Sequence, residues 1–214
     1  MIFVDMFKFM MEHPDDMWTA IRQQLILVSI PMVFAILIAV PLTILSTRIP
    51  KLYPLILGFS NGVQTIPSLA LLALMITLGT GIGLVPSVIA LFVYSLMPIV
   101  RNTYVGIIGV APEVKQAAVG MGATNWQLLW IVEIPLALKV ILAGIRSSLV
   151  GTIGFATLGA LIGAGGLGDL ILRGLSMSSN DILLAGTLPA VLMAFLAEYI
   201  MGLLQKVLTP KGIR

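Results

Sequence analysis

The sequence predicts an all-α membrane protein with about five transmembrane helices. Of its 214 residues, 59% are hydrophobic and only 10% are charged, whereas charged residues make up about 25% of a soluble domain. Charge-free runs occupy residues 23–47 and 52–100, and about 20 apolar residues suffice to cross a bilayer. Basic residues exceed acidic ones only by 12 to 9, without a basic cluster. We therefore expect a membrane location and no nucleic-acid partner.

The first 24 residues predict a short amphipathic segment ahead of the spans. Three apolar residues recur at helical spacing among three charged ones: Phe3, Phe7 and Met10 against Asp5, Lys8 and Glu12. This pattern is typical of a helix lying at the membrane surface, although a frayed terminus fits the same residues. Acidic residues replace the basic start of a signal peptide, so we expect no cleaved leader. A transmembrane domain then covers residues 25–206 and a tail covers 207–214.

Span one is predicted over residues 23–47 and is followed by Arg48 and Lys51. At about 1.5 Å per residue it exceeds the roughly 30 Å hydrocarbon core of a bilayer. We therefore expect Pro31 and Pro41 to bend or tilt it.

The charge-free run over residues 52–100 is far longer than one span. Its one convincing break is the glycine-rich stretch 79–83 with the nearby Pro86. The run is therefore predicted to hold spans two and three, with span three ending near Arg101.

Span two carries four uncharged polar residues: Asn61, Gln64, Thr65 and Ser68. Polar side chains at membrane depth face the helix bundle or a water-filled path, which makes these four the candidates for a translocation path. They can equally serve as packing contacts that hydrogen-bond neighbouring helices.

Span four is predicted over residues 134–155 and span five over 182–205. Arg146 lies near the middle of span four, where an unpaired charge is costly, so we expect it to pair or to face water. Glu198 in span five is the nearest acid by depth. A structural ion pair and a contact with a translocated solute both remain open for Arg146.

The stretch 159–168 contains a formal Gly-x-Gly-x-x-Gly pattern. In a βαβ unit this pattern cradles a dinucleotide, but no strand precedes it here. We interpret it instead as close helix packing followed by a tight external turn.

Charge bias predicts the orientation, with the amino terminus outside and the carboxyl terminus cytoplasmic. Placing the ends of spans one, three and five inside puts eight basic residues there: Arg48, Lys51, Arg101, Lys115, Lys139, Lys206, Lys211 and Arg214. Three basic residues then lie outside: Lys8, Arg22 and Arg173. The positive-inside rule favours this arrangement, which makes residues 106–134 a cytoplasmic loop.

This loop predicts a helix, a turn and a second helix. Pro112 suits the first position of a helix and Glu113 its first turn, and Gly122 allows the chain to turn. Thr124 or Asn125 can cap the second helix, and Pro135 suits the first turn of the helix that follows. The small residues Ala117 and Ala118 are expected to be exposed, where they would let a partner backbone approach closely.

The spacing of Gln116-Ala117-Ala118, Gly122 and Val132-Glu133-Ile134-Pro135 resembles the Glu-Ala-Ala loop of bacterial ABC-importer permeases. Gln116 replaces the usual Glu and Val132 the usual Ile of that family. Four further stretches look like permeases of osmoprotectant importers: 64–70 (QTIPSLA), 98–104 (PIVRNTY), 163–169 (GAGGLGD) and 209–212 (TPKG). Methionine-importer permeases are similar in size and also carry a glycine-rich stretch before the last span.

The resemblance implies a type I ABC-importer permease in the bacterial cytoplasmic (inner) membrane, moving glycine betaine, carnitine or choline. Its loop residues, Glu113, Gln116, Ala117, Ala118, Gly122 and Pro135, would grip a cytoplasmic ABC ATPase dimer. It also implies a second permease chain, identical or not, and an extracytoplasmic solute-binding protein. The sequence has no phosphate-binding Gly-x-x-x-x-Gly-Lys-Ser/Thr loop, so ATP and Mg²⁺ would bind the ATPase and this chain would hold no cofactor.

Two alternatives belong to other classes of protein, a passive channel and an intramembrane enzyme. A passive channel would need the polar residues of span two but no loop for docking an ATPase. An intramembrane enzyme would need a catalytic constellation, and the sequence offers no Cys, one His near its start and no pair of carboxylates within one span. We therefore expect no catalytic residue, no metal site and a transport role.

Overall fold

The structure is a computed structural model that describes residues 2–49 and 51–209. Within these ranges the chain is helical and forms no strand. The α-helices, in chain order, are α1 (Ile2–Glu12), α2 (Pro14–Ser46), α3 (Leu52–Thr65), α4 (Ser68–Met75), α5 (Leu84–Ile108), α6 (Pro112–Gly120), α7 (Asn125–Gln127), α8 (Ile134–Leu158), α9 (Leu167–Ser176) and α10 (Asn180–Leu208). Two π-helical segments, Ile76–Thr80 and Leu128–Glu133, and the 3₁₀ turn Gly159–Ile162 complete the order.

Four of these helices are long and apolar enough to cross a bilayer: α2, α5, α10 and the continuous helix Asn125–Ile162 that contains α8. The pair formed by α3 and the segment Ser68–Thr80 passes the same test when taken together. The prediction of an all-α membrane protein with four to five spans is therefore confirmed for the described residues. Pro31 and Pro41 lie inside α2 without interrupting it.

The second span is not the straight helix that the sequence predicts, because it is bent by 101° between Thr65 and Ser68. Ile66 is extended at φ −77° and ψ 123°, since a residue that precedes a proline is disfavoured in the helical region. Pro67 then starts the second half of the span. The break predicted at residues 79–83 is also present, where three glycines have φ between 82° and 100°.

An ion-pair cluster bears on whether this bent pair crosses the membrane or turns back. Arg48, just after α2, and Lys115, on α6, both pair with Glu133, at the entrance of α8. The end of α2 and the 109–133 segment therefore lie at one membrane face, which we call the loop face. Because α5 is long enough to cross once between them, this pairing favours a crossing by the segment Leu52–Thr80 over a re-entrant loop.

The core lies around α5, which packs between α2 and α8 with α3 beside it. Leu27, Ala35, Ile99 and Ala156 are fully buried in this cluster. At Gly144 a Cβ atom would lie 2.5 Å from the Cβ of Asn102, so α5 and α8 approach as closely as small residues permit.

The helices extend beyond several predicted bounds. Span three continues past Arg101 to Ile108 in α5, and α10 runs from Asn180 to Leu208 rather than over 182–205. Residue 24, the predicted end of the amphipathic segment, falls inside α2. Helix α1 folds back against α10 and buries Met6 completely. The division into 1–24, 25–206 and 207–214 stays a prediction, and the side chain of Phe3 and residues 210–214, with Lys211 and Arg214, lie outside the described parts.

Candidate functional site

The predicted helix, turn and helix of the 106–134 loop are present. Helix α6 begins at Pro112, and Glu113 lies in its first turn. Gly122 then has φ +88°, a value that side chains with a Cβ rarely adopt, so the turn depends on a glycine at this position. Thr124 caps α7: its hydroxyl accepts from the backbone N–H of Gln127 at 3.3 Å, while the Gln127 side chain accepts from the N–H of Thr124 at 2.9 Å.

The second helix of the loop is an extension of the fourth span. Helix α7 continues through Leu128–Glu133 into α8, and Asn125–Ile162 form one unbroken helix of 38 residues. Trp126 and Trp130 project from it, exposed and edge to face at 5.7 Å between ring centroids. Exposed indoles at this level are typical of the membrane interface.

One face of α6 is free for a partner. Glu113, Gln116 and Ala117 are exposed, as expected for a docking helix. The expectation that Ala118 is also exposed is wrong, because its side chain is only 5% accessible. Ala118 faces the helix Asn125–Ile162, and together with Gln127 and Ile131 of that helix it lines a cleft of about 300 Å³.

The structure adds Glu133, to which the sequence reasoning assigned no role. Its side chain is 3% accessible, and it pairs with Arg48 and with Lys115, whose Nζ lies 3.4 Å away. Lys115 also donates to the carbonyl of Ile107 at 3.1 Å. The signal in the sequence is that Glu133 is the single acid within the apolar run 128–138. A buried carboxylate requires a cationic partner, so its position predicts an ion pair.

The polar residues of span two gather at the 101° bend. Asn61 and Thr65 are exposed on this chain, whereas Gln64 and Ser68 are half-buried. Thr65 donates within its own helix, to the carbonyl of Gly62 at 2.7 Å. Among the hydrogen bonds of the described chain, none joins these four side chains to a neighbouring helix, which leaves them free for water, a solute or another chain.

Arg146 on α8 and Glu198 on α10 form the predicted ion pair. Both side chains are partly accessible, at 33% and 43%, and they line a groove of about 720 Å³ between the two helices. Lys139 and Lys206 lie at the loop-face end of this groove, and Phe195 and Tyr199 line its wall. No hydrogen bond or ion pair within the described ranges joins this groove to the four polar residues of span two, so one chain does not bring the two sets together.

The glycine-rich stretch packs helices and turns the chain, as the sequence predicts. A Cβ atom at Gly168 would lie 2.0 Å from the carbonyl oxygen of Thr157. The turn before it is held by α2: Gln23 accepts from the N–H of Gly166 at 2.9 Å. Gln24, fully buried, accepts from the N–H of Leu167 at 3.2 Å and donates to the carbonyl of Ile153 at 3.1 Å.

In the part of the chain that the structure describes, no three His, Asp or Glu side chains come together in a way that could hold a metal ion. Arg146 and Glu198, at membrane depth, instead form one pair of opposite charge.

The family model described as "Binding-protein-dependent transport system inner membrane component" matches residues 39–213. A carnitine transport permease protein of Listeria monocytogenes is 44% identical over 96% of this chain and 94% of its own length. A glycine betaine/carnitine/choline transport system permease protein of Bacillus subtilis is 41% identical, covering 98% and 96%. An osmoprotectant import permease protein of Salmonella typhimurium is 44% identical, covering 99% and 100%.

Among solved structures, the inward-facing MetNI methionine ABC transporter contains a similar chain. The TM-score is 0.81 at 24% sequence identity, over 91% of this chain and 96% of that one. A second crystal form of the same transporter gives a TM-score of 0.79 at 20% identity. This likeness shows a shared fold, that of a type I ABC-importer permease.

Proposed function

The chain belongs to the family of binding-protein-dependent transport system inner membrane components, and we propose that it is the membrane subunit of an ATP-driven importer of a small quaternary-ammonium osmoprotectant. The solute would be glycine betaine, carnitine or choline. The observation that carries this proposal is identity of 41–44% with permeases named for these solutes, over at least 94% of each chain.

Helix α6 is the proposed docking site for the ATPase. Its exposed face presents Glu113, Gln116 and Ala117, and the tight turn at Gly122 holds it against the entrance of α8, which begins with Ile134 and Pro135. Closure of the paired ATPases would draw the two α6 helices of a permease dimer together and tilt the spans between inward-open and outward-open states. The loop face would then be cytoplasmic, as the bias of basic residues predicts.

The proposed path for the solute runs between two permease chains, since five spans are few to enclose one. The exposed Asn61 and Thr65 and the half-buried Gln64 and Ser68 would line it near the bend of span two. These side chains are uncharged, so they offer no trap for an ion and suit a zwitterion of little net charge, such as glycine betaine or carnitine. Arg146, already paired with Glu198, would contribute a fixed dipole rather than a free cation.

The proposed partners are an ABC ATPase dimer that binds ATP and Mg²⁺, a second permease chain and a solute-binding protein outside the membrane. The binding protein would select the solute, for instance with an aromatic cage that holds a quaternary ammonium by cation–π attraction.

Uptake by proteoliposomes tests the proposal. Vesicles holding this chain, its ATPase and its binding protein are supplied with labelled glycine betaine, carnitine, choline and methionine, with and without ATP. We expect ATP-dependent uptake of at least one quaternary ammonium compound. Uptake of methionine alone would favour the methionine-importer alternative, which shares the fold, and uptake without ATP would favour a passive channel.

A further inference from the structure

We propose that Glu133 is the joint through which movement of α6 reaches the membrane spans. This inference rests on the proposed function, in which α6 receives the ATPase. It assigns to Glu133 a positioning role that is separate from docking itself.

Three elements meet at this carboxylate, and Lys115 links a fourth to them. Glu133 belongs to the helix that becomes the fourth span, and Arg48 reaches it from the end of the first span. Lys115 reaches it from α6, with 3.4 Å between Nζ and Oε1. Lys115 also donates at 3.1 Å to the carbonyl of Ile107, in the last turn of the third span. A displacement of α6 is therefore transmitted to three spans through one cluster of charges.

Little else holds α6 to the rest of the chain. Ala118 is the only buried residue of α6, and a methyl group contributes a small apolar contact. Lys115, at 24% accessibility, is the one charged side chain of α6 that forms an ion pair within the described structure. Lys115 and Ala118 thus make up the inward-facing attachment of a helix whose other side is free.

The burial of Glu133 makes this attachment specific. A carboxylate that is 3% accessible cannot be left without its cations, because an unpaired buried charge costs far more than an exposed one. Arg48 and Lys115 must therefore move with it. Glu133 also ends the π-helical segment Leu128–Glu133, and π-helical turns are frequent at functional sites.

The experiment compares Glu133→Gln and Lys115→Met with the conservative Lys115→Arg. The control is Glu12→Gln, which removes an exposed ion pair with Lys8 on α1 at 3.8 Å. Each variant is reconstituted with the ATPase and the binding protein, and the solute taken up per ATP hydrolysed is measured. We expect Glu133→Gln and Lys115→Met to keep hydrolysing ATP while the uptake per ATP falls about tenfold. Lys115→Arg and Glu12→Gln should match the wild type.

Hydrogen exchange of the permease chain alone gives a second readout that needs no transport. The backbone amides of α6 should exchange about tenfold faster in Glu133→Gln and Lys115→Met than in the wild type, with the amides of α5 unchanged. If Glu133→Gln fails to insert, Lys115→Met carries both measurements, because its side chain is less buried. Unchanged hydrogen exchange in α6, or unchanged uptake per ATP, would contradict the proposed role of Glu133. A wild-type chain that transports none of the solutes would instead contradict the proposed function, and the exchange measurement would still decide the role of Glu133.

Discussion

Arg48, at the end of the first span, donates a hydrogen bond to the carboxylate of Glu133, 85 positions further along the chain. Because both residues lie at the loop face and α5 is long enough to cross the membrane between them, this pair favours five spans over four. The bent segment Leu52–Thr80 would then be a second crossing and not a re-entrant loop.

Single cysteines test this topology, since the chain has none of its own. Ser178, between α9 and α10, should lie outside, so Ser178→Cys should react with an impermeant thiol reagent added to intact cells. Lys51→Cys, exposed at the loop face, should react only after the membrane is permeabilised. Labelling of Lys51→Cys in sealed cells would contradict the proposed orientation.

Docking of the ATPase is tested at Ala117, which is exposed on α6. Ala117→Asp would bury a carboxylate in the contact, at a cost of several kcal/mol, and should abolish solute-stimulated ATP hydrolysis while insertion stays normal. Ala117→Ser, which keeps a small side chain, should remain active. Ala118→Asp should instead lower the yield of folded protein, because Ala118 is buried within the chain. Normal transport by Ala117→Asp would rule out docking at this face.

The pair of Arg146 and Glu198 should stabilise the packing of α8 against α10. Arg146→Gln leaves an acid unpaired at membrane depth and should lower the melting temperature in detergent. The exchange of both charges, Arg146→Glu with Glu198→Arg, should restore most of it. If instead Arg146→Gln melts at the normal temperature but loses uptake, the pair acts on the solute and does not stabilise the fold.

Gln24 should be a larger contributor to stability than its neighbour Gln23. Gln24→Leu leaves the buried N–H of Leu167 without its side-chain acceptor, at about 1–3 kcal/mol, and also removes the bond to the carbonyl of Ile153. Gln23→Leu removes one bond at a half-buried site and should cost less. Thermal unfolding of the two variants compares them directly. Equal decreases in melting temperature would contradict the larger role of Gln24.

Two helical glycines should respond oppositely to alanine, because one is closely packed and the other is not. At Gly168 the added methyl group would lie 2.0 Å from the carbonyl of Thr157, so Gly168→Ala should strongly destabilise the fold. At Gly151, inside α8, nothing lies within 4 Å of the added atom. Gly151→Ala should be neutral or stabilise by about 0.5–1 kcal/mol, because alanine favours the helix. Unfolding midpoints of the two variants measure the contrast, and an unchanged midpoint for Gly168→Ala would contradict the close packing.

Local patterns of the sequence determined much of this architecture. Charge-free runs predicted the spans, and Pro112, Gly122 and Thr124 predicted the shape of the loop, because helix starts, turns and caps depend on neighbouring residues. The ion pair of Arg146 with Glu198 was also predicted from sequence, since a bilayer leaves very few acids at the right depth to meet an arginine within a span.

Only the tertiary structure decided the remaining features. The dipeptide Ile66-Pro67 predicts a break in the helix but not the angle of the bend. That angle depends on how α3 and α4 pack on α5. The burial of Ala118 and the meeting of Arg48, Lys115 and Glu133 depend on distant elements. Composition and periodicity describe which face of a helix avoids water, but they do not specify which side chain from 85 positions away will lie against it.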